Sequence, residues 1–72
     1  MKNDKLLILG QRIRFERLKK GLSQEELAEK TDLSRSAISC IECGVNDPKY
    51  TTLLKIAEAL EIDISILFAK SL

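Results

Sequence analysis

The chain has 72 residues, with 12 Lys or Arg and 11 Asp or Glu, so its net charge is +1 at neutral pH. We expect one domain, residues 1–72, and a chain this short buries only about 60 to 65% of its unfolded surface, so dimerisation would add stability. Low Gly and Pro contents favour helices over strands, and no run approaches the roughly 18 apolar residues of a membrane span. The lysine-rich start is too short for a signal peptide, so we expect a cytoplasmic protein with no membrane partner and with reduced cysteines.

Charge is unevenly distributed along the chain. Residues 1–22 hold seven Lys or Arg against Asp4 and Glu16, a net charge of +5, whereas residues 23–34 hold one Lys against four acids, a net charge of −3. A basic surface attracts phosphates whatever the base sequence, which makes the N-terminal segment a candidate for contact with nucleic acid. The alternative is that these charges only solvate helix faces, as we expect for Lys2, Lys5 and Lys70.

The first predicted helix starts at Leu6 and ends at Gly21, a residue suited to the left-handed backbone of a helix end. Its apolar positions recur at helical spacing in one stripe, made of Leu6, Leu9, Ile13 and the stem of Arg17. Ile8 and Phe15 lie off that stripe and form a second apolar edge. This edge would pack within the monomer or cover a partner subunit.

Two short helices joined by a tight turn are predicted over residues 23–43. Ser23 caps the first and completes a capping box with Glu26, and Ser34 caps the second. Asp32 lies in the turn, where a Gly is more usual, and tolerates that backbone. The positions with core spacing are Leu27, Ala28, Ala37, Ile38 and Ile41. Spacing alone also suits an ordinary helical corner that binds no ligand.

Individual residues add to this spacing. They are the run Gly21-Leu22-Ser23-Gln24-Glu25-Glu26-Leu27-Ala28, then Leu33, Ser34, Ile38, Ile41, Glu42 and Gly44, followed by Pro48 and Leu53-Leu54-Lys55-Ile56-Ala57. At these positions, which extend over about residues 9–68, the chain resembles the Cro and phage-repressor type of helix-turn-helix family, also called the XRE family. The resemblance implies an all-α fold, a compact five-helix bundle with a central helix-turn-helix, that binds double-stranded DNA as a homodimer.

The resemblance, with the chemistry of base edges, predicts which residues contact DNA. An α-helix fits the major groove, its N-terminal residues reach furthest in, and an Arg such as Arg35 can donate two hydrogen bonds to guanine. The expected base-reading residues are Arg35, Ser36, Ser39 and Cys40. The expected phosphate contacts are Gln24, which matches the family's phosphate-binding Gln, and Ser34, Asn46 and Lys49.

The resemblance also implies a structural ion pair between Arg17 and Glu42. In this family an Arg of the first helix commonly pairs with the Glu that ends the recognition helix. Removing one partner of a partly buried pair would cost about 3 to 5 kcal/mol. The alternative is two exposed charges worth under about 1 kcal/mol.

Residues 45–49 read as a turn-rich loop, after which Thr51 is expected to cap a fourth helix. Its expected buried face consists of Leu53, Leu54, Ile56, Ala57 and Leu60, and Tyr50 is expected to fill the core beneath the loop. Asp63 can cap a last helix over residues 64–69, in which Leu67 and Phe68 complete the core.

The C-terminal segment is more apolar than a chain end needs. In the family this region is the usual dimer contact, which here would lie within residues 60–68. The expected contact residues are Ile62, Ile64 and Ile66, with Leu60 at the margin. The alternative is an apolar patch on a monomer.

Cys40 and Cys43 form a CxxC motif. A zinc site needs four ligands, and the chain has no His and no other Cys, while a redox CxxC normally sits at a helix N-terminus rather than at a C-terminal end. We therefore expect no metal, no cofactor and two unrelated side chains. A thiol switch that weakens DNA binding when Cys40 is oxidised is the alternative.

The sequence thus predicts a transcriptional regulator that binds a pseudo-palindromic operator as a homodimer, similar to restriction-modification controller proteins and small phage repressors. No enzyme is expected, because there is no His, no phosphate-binding Gly-rich loop and no nucleophile with a base, and no small-molecule ligand is evident. Glu25, Glu26 and Glu29 would contact RNA polymerase or form a solvated face. A second hypothesis is a protein-interaction module such as an antitoxin, for which Ile8 and Phe15 would supply the apolar patch.

Overall fold

Four α-helices and one short 3-10 helix make up the part of the chain that the structure, a computed structural model, describes, which is residues 4–68. Helix α1 is Asp4–Lys19, α2 is Gln24–Thr31, α3 is Arg35–Glu42 and α4 is Tyr50–Leu60. The 3-10 helix is Ile64–Phe68, and residues 4–68 contain no strand. The all-helical prediction is confirmed. Lys2, Ala69 and Lys70 lie outside the described residues.

The expected fifth α-helix is a 3-10 helix instead. The N–H of Ile66 donates to the carbonyl of Asp63 at 3.0 Å, a bond that spans three residues rather than four. The Asp63 carboxylate accepts the N–H of Ser65 at 2.9 Å, so Asp63 does cap this segment as predicted. With five residues this segment is slightly longer than most 3-10 helices, which seldom exceed three or four residues.

Local chemistry sets the ends of the first three helices. Gly21 has φ +77° and follows α1, as its place in the sequence predicted. Ser23 accepts the N–H of Glu26 at 3.0 Å while the Glu26 carboxylate accepts the N–H of Ser23 at 2.8 Å, which confirms the capping box. Asp32 ends α2 with φ 63°, and the Ser34 hydroxyl accepts an N–H of the first turn of α3 at 3.0 Å. The turn between α2 and α3 is therefore built as the sequence predicted.

A single cluster of buried apolar side chains joins all five elements. It consists of Leu9, Ile13, Leu27, Ala28, Ile38, Ile41, Leu53, Ile56, Ala57, Leu60 and Leu67. Helix α3 packs against α1 and α2, and α4 packs against α2 and the 3-10 helix. The C-terminal half of α3 is thereby buried, while its first residues stay at the surface.

The start of α4 differs from the prediction. The helix begins at Tyr50 with Lys49 as its N-cap, and Thr51 lies inside the first turn. Lys49 adopts extended backbone and its carbonyl accepts the N–H of Leu53 at 3.1 Å, so the first helical bond forms before Thr51 could act as a cap. Tyr50 is 60% exposed, because it occupies the first position of the helix and lies beside the buried stripe, so its predicted core role is wrong.

Two other residues predicted for the core are exposed. Leu54 lies about 100° around α4 from the buried Leu53, which turns it toward solvent. Phe68 follows the buried Leu67 in a helix of three residues per turn, so it is rotated by about 120° away from the core. Helical spacing identified α4 and the C-terminal helix correctly, but it assigned one exposed apolar residue to the buried face of each.

Candidate nucleic-acid interface

The N-terminus of α3 is presented to solvent on a helix whose remainder is fixed. Arg35 and Ser36 are its first two residues, and both are exposed. Ile38 and Ile41 bury the inner face of the same helix in the core. The cap at Ser34 satisfies one N–H of the first turn. This end of α3 therefore presents an exposed cationic side chain on a capped helix whose inner face is buried.

The other end of α3 is held by a buried ion pair. Arg17 donates from Nε to Glu42 Oε2 at 2.7 Å and from Nη2 to Glu42 Oε1 at 3.0 Å, with both side chains almost fully buried. Its third nitrogen, Nη1, donates to the carbonyl of Leu22 at 2.8 Å. Arg17 thus connects α1, the loop before α2 and the end of α3, which explains why two charges are accommodated in a small core.

Gln24 joins the same group. Its Nε2 donates to Glu42 Oε1 at 3.1 Å, and the side chain is half-buried. Gln24 is the first residue of α2, so this bond ties the start of α2 to the end of α3. An amide nitrogen carries two N–H groups, which leaves one to donate elsewhere.

A close approach of α1 to α3 makes this geometry possible. A Cβ added to Gly10 would lie 2.4 Å from the carbonyl oxygen of Ile41 and 2.5 Å from that of Glu42. Only a residue without a side chain allows the two backbones to come this near. Sequence reasoning missed Gly10, because a Gly inside a helical pattern does not show which element approaches it.

The other residues predicted to contact DNA lie on α3 or in the loop that follows it, and they differ in solvent exposure. Ser39 and Cys40 are half-buried, one turn beyond the N-terminal pair. Asn46 and Lys49 are exposed in the loop that follows α3. Cys40 and Cys43 are free thiols, and residues 4–68 contain no group of His, Cys, Asp or Glu that could hold a metal ion.

The residues predicted for a dimer contact are half-buried. Ile62 and Ile64 pack against the core, and Ile66 lies on the 3-10 helix with part of its side chain accessible. The first two therefore already have a role within the monomer. Ile66 is the predicted contact residue that can be changed with least damage to the core.

A second buried charge pair was missed by the sequence reasoning. Arg12 and Glu16 are both buried on α1, and Arg12 Nη1 lies 3.5 Å from Glu16 Oε2. Their spacing of four residues and their opposite charges were a signal for a helical ion pair. The same spacing is common on exposed faces, so it could not show that this pair is buried.

The capping box perturbs one carboxyl beside this surface. The backbone N–H of Ser23, and then its hydroxyl, hold the pKa of Glu26 below its ordinary value. The lowered pKa favours the ionised form of Glu26 at the start of α2, where a negative charge also suits the helix dipole.

Comparison with known proteins places the fold in a family. A family profile described as helix-turn-helix matches residues 13–67. The chain belongs to the helix-turn-helix family. It is 42% identical over 59 residues to the immunity repressor protein of Bacillus phage phi105, which covers 82% of this chain and 41% of the repressor. This chain likewise spans less than half the length of other curated relatives, among them the Bacillus subtilis transcriptional regulators ImmR and SlrR.

Two solved structures are similar to this helix-turn-helix protein over most of its length. The restriction-modification controller protein C.AhdI from Aeromonas hydrophila superposes with a TM-score of 0.90 and 41% identity, covering 92% of this chain and all of that one. SinR, the master regulator for biofilm formation, was solved in complex with DNA and superposes with a TM-score of 0.80 and 35% identity, covering 85% of this chain and 98% of that one. The family consists of DNA-binding transcription regulators and not of enzymes.

Within this helix-turn-helix protein, α2 and α3 form the motif, and α1 holds them through Arg17 and Gly10. Over residues 4–68, none of the helices has the length and apolar character needed to cross a membrane.

Proposed function

We propose that this protein is a sequence-specific transcriptional regulator that binds a pseudo-palindromic operator as a homodimer. The observation that carries the proposal is the contrast between the two ends of α3. Arg35 and Ser36 are exposed at its N-terminus, while Glu42 is held at its C-terminus by Arg17. A helix presented in this way can enter the major groove without losing its own support.

Base reading is assigned to the exposed side of α3. Arg35 donates two hydrogen bonds to a guanine and provides most of the specificity. Ser36 contacts a neighbouring base or a phosphate, and Ser39 and Cys40 line the groove one turn later. Cys40 offers mainly van der Waals contact, for which a thymine methyl is the suitable partner.

Phosphate contacts flank this helix. Gln24 keeps one N–H on Glu42 and donates the other to a phosphate at the start of α2, where the helix dipole also favours an anion. The Ser34 hydroxyl accepts a backbone N–H and can still donate its own proton to a phosphate. Asn46 and Lys49 serve the backbone on the far side of α3. These contacts set the register of the protein on DNA without reading sequence.

The homodimer is proposed to form through residues 60–68, with Ile62, Ile64 and Ile66 at the contact. The 3-10 helix packs on α4, and Phe68 of the first and Leu54 of the second are further exposed apolar residues. A chain of this size gains stability from covering such residues. In a two-fold dimer the two α3 helices would meet half-sites about one helical turn apart, roughly 34 to 36 Å.

Among regulators, a controller-like protein or a small phage-type repressor fits best. The likeness to C.AhdI covers that whole chain, whereas this chain spans only 41% of the phi105 repressor. Its DNA target implies a cytoplasmic location. Glu25, Glu26 and Glu29 are exposed on α2 and are available to touch RNA polymerase bound at an adjacent promoter.

A second candidate function is a protein-interaction module, such as the antitoxin of a toxin–antitoxin pair. The observation that favours it is the exposure of Ile8 and Phe15, which residues 4–68 leave uncovered. Packing of this edge within the monomer, one of the two alternatives from the sequence, is not seen in that part of the chain. Such a module need not exclude DNA binding.

The test is selection of bound sites from random duplex DNA, followed by titration of the selected site at two salt concentrations and sedimentation of the complex. We expect a two-fold symmetric site, two chains per site, and a preference of about a thousandfold or more over random DNA. Weak binding without a common site, lost steeply as salt rises, would contradict the proposal, because counterion release alone would then account for the affinity.

A further inference from the structure

We propose that the outer face of α1 is a docking surface for an acidic amphipathic helix of another protein. The outer face is defined here by Ile8, Phe15 and Leu18, with Arg14 and Lys19 beside them. This proposal does not depend on DNA binding, and it assigns a partner chemistry to a surface that the DNA interface leaves unused.

The outer face is apolar although α1 already buries its opposite side. Ile8, Phe15 and Leu18 are 53%, 45% and 55% exposed. At 3.6 residues per turn they fall within about 80° of one another, so they form a stripe about 15 Å long. The inner side of the same helix is buried in the core through Leu9 and Ile13. A helix that is apolar on both sides normally has something to pack against on each.

Ile8 and Phe15, at the N-terminal end and the centre of the stripe, point away from the end of α3. Gly10 faces the end of α3. Phe15 and Ile8 lie about 140° and 160° around α1 from Gly10, and Leu18 lies about 80° from it. A ligand on the outer face would therefore leave Arg35 and Ser36 accessible. The surface can be occupied while the N-terminus of α3 is in a DNA groove.

Two exposed cations flank the stripe, and one exposed acid, Asp4, lies on the same face one turn before Ile8. Arg14 and Lys19 are exposed at opposite margins of the stripe, about 40° beyond Leu18 and about 20° beyond Ile8. Lys19 Nζ lies 6.0 Å from the centre of the Phe15 ring. Lys19 also lines an open hollow of about 360 Å³ together with Glu16, Lys20 and Ile62. Glu16 is paired with Arg12, and Glu61 is paired with Lys20. Neither carboxylate is therefore left to neutralise the charge of Lys19. An occupant with carboxylates beside an apolar stripe complements this pattern.

A partner of this chemistry fits better than a second copy of the chain. An isologous contact through the outer face would join two surfaces that each carry two cations and one acid, Asp4, so the joined faces would hold four positive and two negative charges. A net positive charge on both sides of an interface opposes association. A helix carrying apolar residues on one face and Asp or Glu at its margins would instead pack on the stripe and pair with both cations. Recognition of this kind, by one helix face on an apolar strip, is a common binding mode.

The test is selection from a displayed library of 18-residue helical peptides against the intact protein. We expect the recovered peptides to be enriched in Asp and Glu at the margins of an apolar stripe. Phe15→Ser and Leu18→Ser should each weaken their binding at least tenfold, and Lys19→Glu at least fivefold at low salt. Tyr50→Ser is the matched control, because Tyr50 is an exposed aromatic residue on α4, and it should bind like the wild type.

Three results would overturn the proposal. The first concerns the selection: no peptide is recovered, or the recovered peptides are not acidic, or they bind the Phe15→Ser variant as tightly as they bind the wild-type protein. The second is self-association that disappears in Phe15→Ser, which would identify a second copy as the occupant. The third is a loss of affinity for duplex DNA in Phe15→Ser, which would make the face part of the DNA interface. Ile8→Ser, folded by circular dichroism, serves as the independent variant for each comparison.

Discussion

Gln24, the first residue of α2, donates its side-chain amide to the carboxylate of Glu42, the last residue of α3, at 3.1 Å. The oxygen that accepts this bond also accepts Nη2 of Arg17 at 3.0 Å. Gln24, a residue expected to contact DNA phosphate, is thereby oriented by the ion pair that holds the end of α3. Stability of the fold and placement of a phosphate contact therefore share one carboxylate.

The ion pair should be a large contributor to stability. Arg17→Ala and Glu42→Ala should each lower the free energy of unfolding by about 3 to 5 kcal/mol, because each leaves an uncompensated buried charge. Urea denaturation followed by circular dichroism measures this, with the exposed Arg14→Ala as the matched control. Losses under about 1 kcal/mol in both variants would mean that the pair behaves like a surface pair.

Gly10→Ala should destabilise the protein although Ala is normally the better helix former. The added Cβ would lie 2.4 Å from the Ile41 carbonyl oxygen, so α1 and α3 must move apart, at a cost of about 1 to 3 kcal/mol. Gly21→Ala is a useful comparison, because no atom lies within 4 Å of that Cβ and only the positive φ opposes it. Thermal unfolding of both variants would distinguish steric from conformational cost. An unchanged or raised melting temperature for Gly10→Ala would contradict the close approach.

Much of this fold follows from local chemistry that is legible in the sequence. The caps at Ser23 and Ser34 and the turn at Asp32 involve residues within five positions of one another, so no tertiary information is needed to predict them. The Arg17 and Glu42 positions are 25 residues apart, and it was the resemblance to a family that paired them.

What was missed depends on the tertiary arrangement. The exposure of Tyr50 and Phe68 and the burial of Arg12 depend on which element covers each helix face. Spacing identifies a stripe but not its partner. The bond from Gln24 to Glu42 likewise requires the crossing of α2 and α3, which the sequence does not specify.

Acid should weaken the capping box at the start of α2. The pKa of Glu26 is lowered in the folded state, so this carboxylate stabilises the fold above its ordinary pKa, and the contribution is lost as pH falls through the lowered value. Titration of the Glu26 carboxyl by NMR should show the low pKa. Ser23→Ala should raise this pKa only partway, because the backbone N–H of residue 23 still donates. An ordinary pKa in the wild type would show that the box does not form in solution.

The dimer contact can be tested at Ile66. Ile66→Lys should shift sedimentation toward the monomer and weaken operator binding more than tenfold, because a charge would be desolvated at the proposed contact. Lys55→Ala, an exposed change on α4, is the control for general surface effects. If Ile66→Lys sediments as the wild type does, the contact lies elsewhere.

Substitutions of Gln24 and of Arg35 should affect DNA binding differently. Gln24→Ala should weaken binding to selected and random DNA by the same factor, since a phosphate contact carries no sequence information. Its effect is measured by titrating both DNAs at one salt concentration. A loss confined to the selected site would assign Gln24 to base reading.

The most direct measurement is the affinity of the wild type and Arg35→Ala for every single-base variant of the selected operator. If Arg35 reads a guanine, the substitution should cost about 1 to 3 kcal/mol on the intact site and remove the base preference at one position in each half-site, leaving the other positions unchanged. An even loss across all positions, or an unaltered preference at every one, would contradict the assignment of the α3 N-terminus as the surface that reads DNA.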